Sequence, residues 1–157
     1  MNENNVSKRE LLVLFDLKEN DVSDFRVDLQ NDVYHIYVTF TPRAKCCPDC
    51  GSASFVRFGK SPSILVSNPI NSRHVKMHTT VQKYHCKDCN RYFDDENPIR
   101  YPGWNITRLA VITIIGELKL YNVTYSSVAR AYGISPTKVI EIFDDFVRIR
   151  KKKLPRV

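Results

Sequence analysis

Cys47-Pro48-Asp49-Cys50-Gly51 and Cys86-Lys87-Asp88-Cys89-Asn90 decide how this chain is read. Each is a C-x-x-C, the spacing that lets two thiolates reach one metal from a single tight turn. Two such turns supply the four sulfurs of a closed tetrahedral zinc site. The residue after each pair also fits. A knuckle turns through positive φ just past its second cysteine, which glycine adopts without a Cβ clash and asparagine adopts next best. Gly51 and Asn90 stand at those places. The expected ligands of one Zn²⁺ are therefore Cys47, Cys50, Cys86 and Cys89, with Cys46 a bystander or a substitute for Cys47. The competing use of such pairs is as redox dithiols or inert core thiols. A redox pair sits between a strand and a helix, and no helical pattern follows either knuckle.

Working outward, 35 residues separate Cys50 from Cys86, longer than the usual zinc-ribbon interval. They read as β structure: Ser54–Phe58 ended by Gly59, Ser63–Val66 ended by Asn68-Pro69, and a long strand from Val75 to His85. In the last, Val75, Met77, Thr79 and Val81 face one way and Lys76, His78, Thr80 and Gln82 the other. A zinc ribbon with an enlarged hairpin accounts for this, with Arg91-Tyr92-Phe93 as a short strand leaving the second knuckle.

Upstream, residues 1–45 form a lead-in of a short helix, Lys8 to Leu17, and a β-hairpin turning at Gln30-Asn31-Asp32. Tyr34, Ile36, Val38 and Phe40 give its second strand one apolar face. Downstream, residues 98–153 switch to helical period. Asn105 is placed to cap an apolar helix running to Leu120. Thr124 then caps a short helix with Val128 and Ala129 inward, Gly133 makes a turn, and Ser135-Pro136 opens another helix. Val139, Ile142, Phe143, Phe146 and Val147 recur along it at helical spacing. A small residue at the crossing, glycine in the turn and apolar Ile134 after it form a helix-turn-helix pattern, against the simpler reading of a helical hairpin. The expected fold class is α+β. Its parts are the lead-in (1–45), a zinc-binding ribbon (46–97), a helix-turn-helix module (98–153) and a link (154–157).

The formal net charge is +7, and it is graded along the chain. Residues 1–45 carry 6 Lys/Arg and 8 Asp/Glu, residues 46–100 carry 8 and 5, and residues 101–157 carry 10 and 4. The balance thus moves from −2 through +3 to +6. A basic gradient over a zinc module and a helical module points to a polyanion, with double-stranded DNA first, unless the terminal run is only a solvated tail. On the second helix of the pair, Ser135, Thr137, Lys138 and Glu141 are the candidate base or phosphate contacts. Asp144-Asp145 interrupts, and Arg148, Arg150 and Lys151 are candidate backbone contacts beyond it. The opening residues lack a basic n-region and the longest apolar stretch, Leu109 to Ile115, is too short to span a bilayer. The expectation is a cytoplasmic chain with reduced cysteines and no membrane partner. His35, His74, His78 and His85 read as surface residues, and Asp94-Asp95-Glu96 as a solvated linker without catalytic role.

Taken in order, these residues are familiar. Cys47-Pro48-x-Cys50-Gly51-Ser52, Asn68-Pro69-Ile70, Val75-x-Met77-x-Thr79, Tyr84-His85-Cys86, Arg91-x-Phe93, an apolar helix and the helix pair resemble the N-terminal half of bacterial insertion-sequence transposases of the ISL-three family. The resemblance spans about residues 10–157. It implies a zinc-finger domain and a helix-turn-helix domain that bind transposon end repeats. Leu154-Pro155-Arg156-Val157 is similar to the segment that in the family precedes the first catalytic aspartate. The resemblance therefore implies a transposase part without its DDE catalytic domain, and not an enzyme by itself. Two departures stand out. Gln82-Lys83-Tyr84-His85 replaces an arginine run, and Asn68-Pro69 replaces an Asp-Pro-like pair. Two other functions use the same features: a stand-alone transcriptional regulator, or a zinc-stabilised interaction module that forms homo-oligomers.

Overall fold

Tyr34, Ile36, Val38 and Phe40 alternate with polar residues, and all four are buried on one face of the strand Val33–Phe40, here β2. It pairs antiparallel with Val22–Gln30 (β1). Asn31 and Asp32, at φ 51° and 63°, make the two-residue turn whose twist matches that of the strands. The computed structural model describes residues 7–153, with side chains through Arg148. The side chains of Arg150 and Lys151, and the whole 154–157 link, lie outside the described residues. Before β1, the helix Lys8–Leu14 (α1) opens with a capping box between Ser7 and Glu10. It stops short of Leu17, and Asp16 has already left helical geometry at φ 53°. Leu11 and Leu12 pack onto the buried face of the sheet.

The first two of the three strands expected between the knuckles are one. Phe55–Ile70 (β3) runs antiparallel to Arg73–Cys86 (β4), and the chain reverses at Asn71-Ser72, φ 50° and 61°. Gly59 does not end a strand. It sits at φ 77° in a bulge between the pairs Arg57↔Tyr84 and Lys60↔Gln82. Asn68-Pro69 falls in a second irregularity, between Ser67 and Ile70. Bulges absorb the glycine and proline that a regular ladder rejects.

β4 is central. β2 runs parallel to it from Tyr34↔Val75 to Thr39↔Thr80. Beyond that, Tyr92–Asp94 (β5) pairs with Lys83–His85. The sheet order is β1-β2-β4-β3 with β5 on β4, so one mixed sheet crosses the boundary read at residue 45/46. Along β4, Val75, Met77, Thr79 and Val81 bury one face, then Gln82, Tyr84 and Cys86 bury the other. The change of face lies at the Gly59 bulge, where Gln82 Nε2 donates to the Gly59 carbonyl at 2.6 Å.

Three further helices follow: Arg108–Glu117 (α2), Tyr125–Tyr132 (α3) and Pro136–Lys153 (α4). Thr107, not Asn105, caps α2, through its Oγ1 to the Ala110 amide. The Asn105 carbonyl instead accepts from the Val66 amide, and the Thr107 amide donates back to Val66. This short bridge fastens the helices to β3. Ser67 and Thr107 hydroxyls meet beside it at 3.2 Å in the interior. Ala110, Val111, Ile114 and Ile115 are buried with Val128, Ala129, Tyr132, Val139 and Ile142 in a second core. Ile112 stays 68% exposed, so α2 is covered on most sides but not all. The whole is α+β.

Candidate metal centre and helical face

The first knuckle is closed by backbone hydrogen bonds, Gly51 amide to Cys47 carbonyl and Cys47 amide to Ser52 carbonyl, both 2.8 Å. The second grows directly from β4, whose last residue is Cys86. Its amide donates to the Arg91 carbonyl at 2.9 Å. Gly51 and Asn90 carry the positive φ the knuckles require, 73° and 59°. The two loops are laced together. The Lys87 amide donates to the Ser54 carbonyl at 2.9 Å, the Ser52 hydroxyl to the Asp88 carboxylate, and Arg91 meets Asp49 at 3.7 Å.

This framework brings the sulfurs of Cys47, Cys50, Cys86 and Cys89 within 4.8 Å of one another. Cys47 lies 3.7 Å from Cys89, and Cys50 3.6 Å from Cys86. A tetrahedral metal with bonds of about 2.3 Å to sulfur has S···S edges of about 3.8 Å, so the four thiols can hold a metal ion. Cys46 is exposed and outside the group, while Cys47 is buried inside it, which settles which of the neighbours belongs. Local electrostatics favour the Cys86 thiolate and disfavour those of Cys50 and Cys89. Amides of Cys89 and Asp88 bring the Cys86 thiol down to about 7. At Cys50 the Ser52 amide pulls down, but burial and the neighbouring thiols of Cys86, Cys89 and Cys47 together push it up to about 12. Four thiolates this close repel, and a bound cation is what relieves that repulsion.

No family model, curated protein or solved structure matches the chain.

At the helices, Thr124 and Ser127 form a reciprocal capping box, and Gly133 ends α3 at φ 71°. Ser135 Oγ accepts from the Lys138 amide at 3.1 Å, so this candidate DNA contact also serves as the cap of α4. Ser135, Thr137, Glu141 and Arg148 are exposed. Lys138 is half-buried: its Nζ stands 4.3 Å over the Trp104 ring and 3.3 Å from Glu141. Asp145 accepts from the Tyr101 hydroxyl at 2.8 Å, and the Tyr101 and Trp104 rings stack. Sequence reasoning missed this clasp because its members lie over 30 residues apart without a shared period.

Two other readings change. Asp95 is not a solvated linker residue. It is 8% exposed and accepts from the Arg43 amide and the Tyr84 hydroxyl. The histidines are engaged rather than loose: His35 Nδ1 and His78 Nε2 are 2.9 Å apart, and His74 Nε2 donates to the Arg130 carbonyl. Among the described residues, no helix is long and apolar enough to cross a membrane.

Proposed function

We propose that this chain binds double-stranded DNA, as the end-recognition part of an insertion-sequence transposase, with Zn²⁺ held by Cys47, Cys50, Cys86 and Cys89. The observation that carries the reading is the exposed first turn of α4, presented by a capped and glycine-turned helix pair in the same chain as a four-thiol centre. A second helix so placed offers its N-terminal residues to the major groove. Thr137 is exposed to reach a base edge, Glu141 would do so by leaving its ion pair with Lys138, and Arg148 is exposed to meet a phosphate. Lys138 would exchange the Trp104 ring for DNA, giving up a contact worth about 0.5–1 kcal/mol. Zinc would neutralise the thiolates and tie the 47–52 loop to β4. Asp94, Asp95 and Glu96 have no catalytic part in this proposal, because Asp95 is committed to Arg43 and Tyr84.

Selection from a random duplex pool tests the reading. A defined motif should emerge, and its binding should weaken steeply with salt. Thr137→Ala with Glu141→Ala should narrow the gap between motif and random duplex by roughly 1–3 kcal/mol per lost base contact. A pool that returns no motif, with binding indifferent to salt, would leave the oligomerisation reading in its place. Metal analysis should find one zinc per chain.

A further inference from the structure

β1 is an outer edge of the sheet: it pairs with β2 and, among the described residues, with no other strand. Counting back from Gln30↔Val33, which closes the two-residue turn, pairs that exchange backbone hydrogen bonds alternate with pairs that do not. Arg26 and Asp28 therefore turn their backbone groups toward β2, whereas Phe25, Val27 and Leu29 turn theirs outward. The Phe25 amide is met by the carboxylate of its own neighbour Asp24, at 2.9 Å, instead of by a strand. An open edge is a template for another strand, and proteins blunt it with proline, bulges or a cover. The other edge, β3, has all three: Pro62 and Pro69, its two irregularities, and the bridge from Val66 to Asn105 and Thr107. β1 has none of them from Asp24 to Gln30, since its one irregularity lies before Asp24.

The residues along this edge say what fits it. Laid antiparallel on a second copy about Val27, β1 is its own complement. Val27 then opposes Val27, and Phe25 opposes Leu29 on either side. All three turn their backbone groups outward, so each pair can exchange two hydrogen bonds. Between them Arg26 opposes Asp28 twice, at the positions without hydrogen bonds, where facing side chains stand closest. Arg26 already lies over the Tyr37 ring and 3.6 Å from its own Asp28, and it gains the second copy's carboxylate. On the core face, Leu29 is 44% exposed and gains the second copy's Phe25. Centred one residue to either side, Arg26 would face Arg26 or Asp28 would face Asp28. Charge therefore selects both the occupant and its register.

We propose that β1 pairs antiparallel with β1 of a second copy of this chain, centred on Val27, so that two sheets join into one. The pairing stands apart from the duplex contact assigned to α4 and does not depend on it. The test uses the full zinc-loaded chain without DNA. Sedimentation equilibrium up to about 0.5 mM should show monomer and dimer in exchange, because a single strand pair is a small interface of the transient class. Arg26→Asp alone and Asp28→Arg alone set like charges across the pair, and each should weaken association roughly tenfold. Mixed together, the two variants set Asp against Arg at both places and should form a heterodimer near the parent's affinity, which misfolded variants would not. In the parent, the Val27 and Leu29 amides should exchange with solvent more slowly at high concentration than at low. A parent chain that stays monomeric throughout overturns the proposal. So do single variants that dimerise as the parent does, and folded variants whose mixture stays monomeric. Val27 and Leu29 amides whose exchange ignores concentration overturn it too, and that measurement decides the matter if a variant fails to fold.

Discussion

At Gly133 a Cβ would lie 3.0 Å from His74 Nδ1, and φ is 71°, where L-residues are strained. The turn thus needs glycine twice over, for its own backbone and for the imidazole that holds the helices to β4 through the Arg130 carbonyl. Gly133→Ala should cost about 1–2 kcal/mol from the backbone alone, with more from the His74 ring. Adding His74→Ala should recover part of the loss, so the double variant is less destabilised than the sum of the two in urea unfolding. The turn glycine was legible in the sequence, but the imidazole was not, because nothing local links residues 74 and 133. His78 shows the same limit. Burial, then His35, Lys76 and Arg26, lower its pKa. A histidine so depressed stabilises the fold while neutral, above its unfolded value near 6.5, and that contribution is lost as pH falls through the lower folded value. Thermal melts should therefore lose stability below about pH 6.5. His78→Gln should shallow that part of the profile; an unchanged profile would remove His78 as a source.

Among the elements, β4 does the most, since its first half is a core strand and its last residue is one of the four clustered cysteines that could hold a metal ion. The four cysteines were legible because the knuckle is a local device: thiol spacing and the following turn residue both lie within five positions. The strand count was not. Gly59 and Asn68-Pro69 read as stops, whereas antiparallel pairing with β4 carries β3 through them by way of bulges. The helix ends shifted for a related reason, since Asn105 is drawn into the bridge with Val66 and leaves the cap to Thr107. The knuckle end should loosen first when metal is removed. Chelation, or Cys86→Ser, should raise amide exchange over 83–94 and residues 47–54 before β2 and the first half of β4. Cys46→Ser should leave both metal content and exchange unchanged. Equal exchange everywhere after chelation would mean that the centre contributes no local stability.

For the molecule as a whole, the sequence divides into acidic, mixed and basic thirds, but the sheet does not respect those divisions. The α+β class was readable from periodicities of two and 3.6. The joining of residues 1–45 to the ribbon was not, because parallel pairing of β2 with β4 links segments more than 30 residues apart and leaves no mark in either. That pairing gives the lead-in a structural role. Tyr34, Ile36, Val38 and Phe40 are at most 5% exposed and share one core with Leu65, Val75 and Met77. Burying four such side chains contributes roughly 6–12 kcal/mol at about 1.5–3 kcal/mol each. A whole domain of this size has a net stability of only about 5–15 kcal/mol. Removing residues 1–45 would also unpair one edge of β4 and bare Met77 to water. The chain from Cys46 onward should then fail to fold as a monomer even with zinc present, giving collapsed amide dispersion in NMR spectra or aggregation. Adding a peptide of residues 7–45 should restore dispersed resonances, because the missing strand is supplied in trans. A well-dispersed, monomeric spectrum from the shortened chain alone would show that the ribbon and helices are self-sufficient and that the shared sheet is not what stabilises them.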